Sequence, residues 1–165
     1  MADLICIGEM VIDFLPGSEE GSYIRNAGGA PANVAISAVR NGISAGMYTK
    51  VGDDDFGIFL QGTLRKEGVE ILNPERSQDT MTTLAFVTLN ENGERSFTFG
   101  RKPGADMMLR REELPEAAIR GARVFHFGTL SMTHEEVRSA TKEAVALARA
   151  GGALISFDPN LRPPL

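Results

Sequence analysis

The chain has 165 residues, 42% of them hydrophobic and 24% charged, with a formal net charge of −5. That length supports one ordinary domain with a real core, and the composition is that of a soluble globular protein. No block of Lys or Arg interrupts the acidic balance, so nucleic acid is not an expected partner, whereas a local Arg can still meet a small anionic ligand.

In chain order, "LICIGE" (4–9) is an apolar run and reads as a buried strand. "MVIDFLP" (10–16) reads as strand continuing past a bend at Gly8. Residues 32–40 read as a helix, with Pro31 suited to a first turn and Gly42 to the position past the end. "AGMYTKVG" (45–52) is the next strand. Phe56, Phe59, Leu60 and Leu64 recur at helical spacing, so 54–66 is a helix ending at Gly68.

The pattern then changes. "MTTLAFVTLN" and "RSFTFGR" flank "ENGE", and Asn92-Gly93 is a hairpin signal. A short helix near 112–120, the strand "RVFHFG" (123–128), a helix near 133–150 and the strand "ALISFDP" (153–159) follow. Alternating strands and helices imply an α/β fold with a parallel sheet and right-handed crossovers. The hairpin, together with the strand around Asp13, is expected to form a separate small β-layer. Such a layer acts as a lid at the carboxyl ends of the parallel strands, where open α/β sheets bind ligands.

Cys6 is the one cysteine and sits in an apolar run, which excludes an internal disulfide and reads as a buried thiol. No apolar stretch approaches a membrane span, and "MADLICIGEM" has no basic leader before a long apolar core. A cytoplasmic protein with no membrane partner is the expectation. The P-loop and the G-x-G-x-x-G fingerprint are both absent, and no Cys/His cluster has zinc spacing. "GDDDFG" (52–57) offers three carboxylates to a metal, but it stands just before a helix, where Asp caps the backbone and complements the dipole. His126, between Phe125 and Phe127, reads as a core or sheet-end residue, and His134 as a surface residue.

The remaining polar positions carry more chemistry. Asp13 lies among Val11, Ile12, Phe14 and Leu15, where a charge is costly unless satisfied; sugar hydroxyls, a local salt bridge or a solvent-facing position would each serve. "NAGGAPANVA" (26–35) sets two glycines directly before a helix, where bare backbone can approach a ligand. Asn33, in the first turn, offers donor and acceptor together, which suits a vicinal diol as well as a capping role. "FDPNLRPPL" (157–165) places Asp158, Asn160 and Arg162 after the last strand, and Arg101 ends the lid strand beyond Phe97 and Phe99.

Taken together, "GEMVIDF" (8–14), "GGAPANVA" (28–35), "KVGDDDFG" (50–57), "TLAFVTLNENGERSFTFGRKPGADMML" (83–109) and "FDPNLRPPL" (157–165) resemble the N-terminal half of a PfkB-type, ribokinase-like carbohydrate kinase. Fructokinases are the nearest relatives by these motifs. The resemblance implies a Rossmann-type parallel sheet flanked by helices, with a small antiparallel β-sheet lid over segments of about 11–27 and 81–102. It implies substrate-binding roles for Asp13, Gly28, Gly29, Asn33, Arg101, Asn160 and Arg162.

In the family, the general base and the anion hole lie on a glycine-rich turn in the C-terminal half, with the ATP pocket. Nothing in these residues matches either, so no catalytic residue is assigned to this chain. ATP and Mg²⁺ are expected of the full-length family enzyme and are not expected to bind this half tightly. The resemblance therefore implies an ATP-dependent sugar kinase, with fructose as the expected substrate, of which this chain carries the sugar side and is inactive alone. Alternatives are a 2-keto-3-deoxygluconate kinase and a non-catalytic sugar-binding or dimerisation fragment. The expected partners are a small sugar and a second copy of the chain, joined through the lid or an exposed sheet edge.

Overall fold

All four side chains of Leu4–Ile7 (β1) are buried, because the strand lies at the centre of a parallel sheet covered on both faces. The computed structural model describes residues 2–89 and 95–160. β1 is flanked by Ala45–Tyr48 (β4) and Val124–Gly128 (β8), both parallel to it. Glu70–Ile71 (β5) and Leu154–Asp158 (β9) complete the order β5-β4-β1-β8-β9.

The period of two along β1 separates two cores. Ile5 and Ile7 pack with Phe125 and with Val137, Ala140 and Ala144 of the helix Glu135–Ala150 (α4). Leu4 and Cys6 pack with Ala32 and Ala35 of the helix Ala30–Arg40 (α1) and with Leu60 and Leu64 of Asp55–Lys66 (α2). Complete burial of Ile5 and Ile7 contributes about 1.5–3 kcal/mol each. Cys6 is fully buried in the second core, and loss of water pushes its thiol up to about 12, which keeps it protonated and inert.

The chain does not run straight on from β1. It leaves the sheet at Gly8, whose φ of 144° and contact with the Pro31 ring both favour glycine. It then enters a second sheet at Val11–Pro16 (β2). That sheet has the order β3-β2-β6-β7, built with Tyr23–Gly28 (β3), Leu84–Leu89 (β6) and Arg95–Gly100 (β7). It is mixed rather than purely antiparallel: β2 and β6 run parallel, which the long connection through α1, β4, α2 and β5 permits. β6 and β7 pair antiparallel, while Asn92-Gly93 lies outside the described residues.

Two local expectations are refined. The helix near 112–120 is a 3₁₀ turn at Arg111–Glu113 followed by Glu116–Gly121 (α3). Pro115 separates them, since the residue before a proline is driven out of helical geometry. In "GDDDFG", Asp54 is the N-cap of α2, accepting from Gly57 N–H at 2.7 Å and from Thr82 N–H at 2.8 Å. Asp53 binds Arg76 and Gln78 instead. Asp53 and Asp54 therefore point to different partners, while Asp55 opens the first turn of α2.

Candidate functional site

From β1 the strand order runs to β4 and β5 on one side and to β8 and β9 on the other, which creates a switch point at the carboxyl ends of β1 and β8. A cavity of about 250 Å³ lies there. Its floor takes Glu9 from just past β1, Leu130 from past β8 and Asn160 from past β9. One wall is Gly29, Ala30 and Asn33 at the start of α1; the lid supplies Val11 and Asp13 from β2 and Phe97 and Phe99 from β7. The volume lies just below the about 300–1,000 Å³ of drug-sized ligand sites and suits a single small molecule.

Strand alternation aims the lid residues. Asp13 pairs with Asn26 on β3 and Ala85 on β6, and Ala85 pairs with Phe99, so one cross-strand row carries carboxylate, small residue and aromatic ring on the cavity face. The opposite face of β2 carries Phe14, stacked on Phe86 with ring centroids 4.8 Å apart and edge-on to Phe56 of α2 at 5.8 Å. This aromatic packing fixes the lid against the body. Phe97 and Phe99 stack with centroids 6.0 Å apart and roof the cavity.

The glycine turn is needed for two separate reasons. A side chain on Gly28 would begin 2.0 Å from the Asp13 carboxylate. At Gly29 the φ is 121°, and a side chain would begin 2.5 Å from the Glu9 carbonyl oxygen. The turn lets Asp13 and the first turn of α1 share one cavity. Ala30 N–H donates to Glu9 Oε1 at 3.1 Å, Pro31 has no N–H, and Asn33 N–H is taken by Gly29 C=O at 2.9 Å. With two carboxyl groups and no Lys or Arg among the described lining residues, this lining does not favour a polyphosphate. It fits a neutral, hydroxyl-rich molecule, since Asp13 can accept two hydroxyls and Asn33 and Asn160 can each donate and accept.

Asp13, Gly29, Asn33 and Asn160 are thus brought together, with Gly28 beneath Asp13. Asn160 reaches the cavity through a tight turn: its φ is 30°, its N–H donates to Asp158 Oδ1 at 3.0 Å, and Thr129 hydroxyl donates to Pro159 C=O. Arg162 lies outside the described residues.

Arg101 differs from expectation, because it is not among the residues lining the cavity. Its buried guanidinium forks onto Asp106, with Nη2 at 2.7 Å and Nε at 2.9 Å, and donates to Thr133 Oγ1 and Leu130 C=O. Asp106 also accepts from Thr83 hydroxyl. Nη2 and Nε meet the same Asp106 oxygen, Oδ2, and the bond to Leu130 C=O ties Arg101 to a residue of the cavity floor.

Sequence reasoning missed Glu9. It is 5% exposed, and burial pushes its carboxyl up to about 7; backbone bonds from Glu9 itself and from Ala30 oppose this, Asp106 reinforces it and Arg101 opposes it. The available signal was a lone acid inside the apolar run 4–12, the same one that singled out Asp13. The histidines stand elsewhere. His126 sits mid-strand on β8, its Nδ1 3.0 Å from Ser156 Oγ, and His134 is a half-buried N-cap of α4. A larger, more open depression of about 700 Å³ lies beside Ile43, His126 and Leu154, with Asp3, Arg123 and Ser156 also in its lining. Among the described residues no group of His, Cys, Asp and Glu is placed to hold a metal ion, and no helix is long and apolar enough to cross a membrane.

Comparison with known proteins agrees with this architecture. The profile of the pfkB family carbohydrate kinases matches residues 1–165. Among curated proteins, the chain is 48% identical to probable fructokinase-3 of Arabidopsis thaliana, covering 98% of this chain and 49% of the relative. It is 45% identical to fructokinase of Solanum tuberosum, covering 98% of this chain and 53% of the relative. Crystal structures of fructokinase from Xylella fastidiosa superpose with TM-scores of 0.92 and 0.91 at 38% identity, the second with bound ATP. They cover 99% of this chain and 52% and 54% of the solved chains. The chain therefore spans about half the length of the relatives it matches. With its parallel five-stranded sheet, small mixed sheet and flanking helices, it has the ribokinase-like fold and belongs to the pfkB family of carbohydrate kinases.

Proposed function

We propose that this chain forms the sugar-binding side of a kinase that transfers the γ-phosphoryl group of ATP to a hydroxyl of fructose. The observation that carries the reading is the convergence of Asp13, Asn33 and Asn160 on one monosaccharide-sized cavity under two stacked phenylalanines. Asp13 accepts hydroxyl hydrogens, the two amides pair with vicinal hydroxyls, and Phe97 and Phe99 cover the ring carbons and exclude water. Arg162 follows Asn160 in the chain and belongs to the same proposed site.

Fructose is favoured over an acid sugar because the described lining residues hold no cation for a carboxylate and Arg101 is engaged by Asp106, which leaves Arg162 as the one proposed site residue that could meet an acid sugar. Phosphoryl transfer relies on positioning and charge stabilisation at the reacting oxygens. The lining supplies positioning and no anion hole. Loss of one such donor alone typically costs about 10²–10³ in rate, so the chain is expected to be inactive by itself.

The test follows sugar-dependent ADP release from the mass-verified chain with fructose and Mg-ATP, with and without a polypeptide corresponding to the second half of a fructokinase relative. Silence alone and turnover on mixing support a site divided between two halves. Turnover by the chain alone overturns the half-site reading. Fructose binding without turnover in either case makes it a sugar-binding fragment.

A further inference from the structure

Among the described residues of the cavity lining, Glu9 is the one acidic side chain that is nearly fully buried. Its two oxygens are unequal. Oε1 accepts the Ala30 N–H at 3.1 Å and so takes the place of the side-chain cap that Gly29 cannot provide for α1. Oε2 is shielded from water and has no hydrogen-bond partner among the described residues. A buried carboxylate oxygen left in this way is costly, whereas a proton on it removes the charge and leaves Oε1 free to act as the carbonyl acceptor for Ala30.

We propose that Glu9 is a positioning residue of the sugar cavity, whose Oε1 holds the first turn of α1 in place for Asn33 and whose Oε2 carries a proton in the sugar-bound state. This rests on the reading of the cavity as a sugar site. The charged groups that face Glu9 are Arg101 and Asp106, from the segment after β7, and Asp13 across the cavity on β2. Arg101 and Asp106 neutralise each other at 2.7 Å, so Glu9 meets no uncompensated cation. Burial disfavours ionisation of Glu9 and Asp106 adds to this, while a neutral sugar that closes the cavity supplies no positive charge. The neutral carboxyl is therefore the binding-competent form, and its ordinary range is displaced to about 7 in the sugar-free chain.

The experiment is a carboxyl ¹³C NMR titration of the 165-residue chain with and without fructose, paired with fructose affinities at pH 6 and 8 for the unsubstituted chain, E9Q, E9A and D13N. The titration expected for Glu9 lies near neutrality and moves upward with fructose. Affinity in the unsubstituted chain is expected to fall about tenfold from pH 6 to pH 8, as the neutral fraction falls. Glu9→Gln keeps the acceptor and the uncharged state, so it retains the pH 6 affinity and loses the pH dependence. Glu9→Ala loses the hold on α1 and weakens binding at both pH values. Titration of Glu9 in the ordinary carboxylate range, or affinity in E9A equal to that of the unsubstituted chain, overturns the proposal while D13N-sensitive binding leaves the sugar reading standing. No fructose binding by the unsubstituted chain overturns both.

Discussion

The carboxylate of Asp13 occupies the space in which a side chain on Gly28 would begin, 2.0 Å from its Cβ position. Gly28→Ala is therefore expected to displace Asp13 rather than merely stiffen the turn. Fructose affinity should fall at least tenfold, a change of about 1.4 kcal/mol, with little loss of thermal stability. Calorimetric titration alongside a melting curve checks this. A variant that binds normally contradicts the role of Asp13.

Arg101 and Asp106 form an ion pair whose side chains are 3% and 2% exposed. Removing one partner leaves a buried charge, so Arg101→Met is expected to cost about 3–5 kcal/mol in urea unfolding. Replacing both, as R101M with D106L, should recover much of that loss. If R101M instead weakened sugar binding at unchanged stability, Arg101 would be acting at the cavity after all.

Two buried groups set opposing pH dependences of stability. Burial holds the His126 imidazole below its usual value, with Asp158 opposing. Below about pH 6.5 the unfolded chain takes up this proton first, so stability is lost as pH falls through the folded value of His126. Glu9 is raised from 4.5 to about 7, so its contribution is present below 4.5 and lost as pH rises through about 7. Glu9→Gln is expected to remove the loss on the alkaline side and to be more stable than the unsubstituted chain at pH 8, by on the order of 2 kcal/mol. Urea midpoints between pH 5 and 8 measure both effects; an E9Q profile parallel to the original throughout contradicts the Glu9 assignment.

β9 is an edge of the parallel sheet among the described residues, and it exposes Leu154 by 69% and Phe157 by 50%. An unpaired edge with apolar side chains recruits another strand. The chain is expected to self-associate with rising concentration in sedimentation velocity, and Leu154→Lys should reduce this. The lid also exposes Leu15, Tyr23 and Ile24, so association unchanged by L154K would move the interface to the lid.

Periodicity and turn chemistry made most of the fold readable. The runs at Leu4–Ile7 and Ala45–Tyr48, the helical spacing of Phe56, Phe59, Leu60 and Leu64 and the caps at Asp54 and Gly42 all act over a few residues. β5 escaped notice because two residues carry no period, and the parallel pairing of β2 with β6 depends on contacts about seventy positions apart. Asp13 stood out as a charge in an apolar run. Glu9 gave the same signal, but its burial and its bond to Ala30 arise only when Gly29 folds α1 back over β1. The pairing of Arg101 was hidden for a related reason: nothing local reveals that Asp106, five residues later, turns in to meet it.

The most direct test is fructose binding by the chain itself, observed by saturation-transfer NMR and compared with Asp13→Asn. The account expects transfer to the sugar protons from Phe97 and Phe99, competed by excess unlabelled fructose and lost in D13N. No transfer to fructose, or transfer unchanged by D13N in a folded chain, would contradict a sugar site built around Asp13.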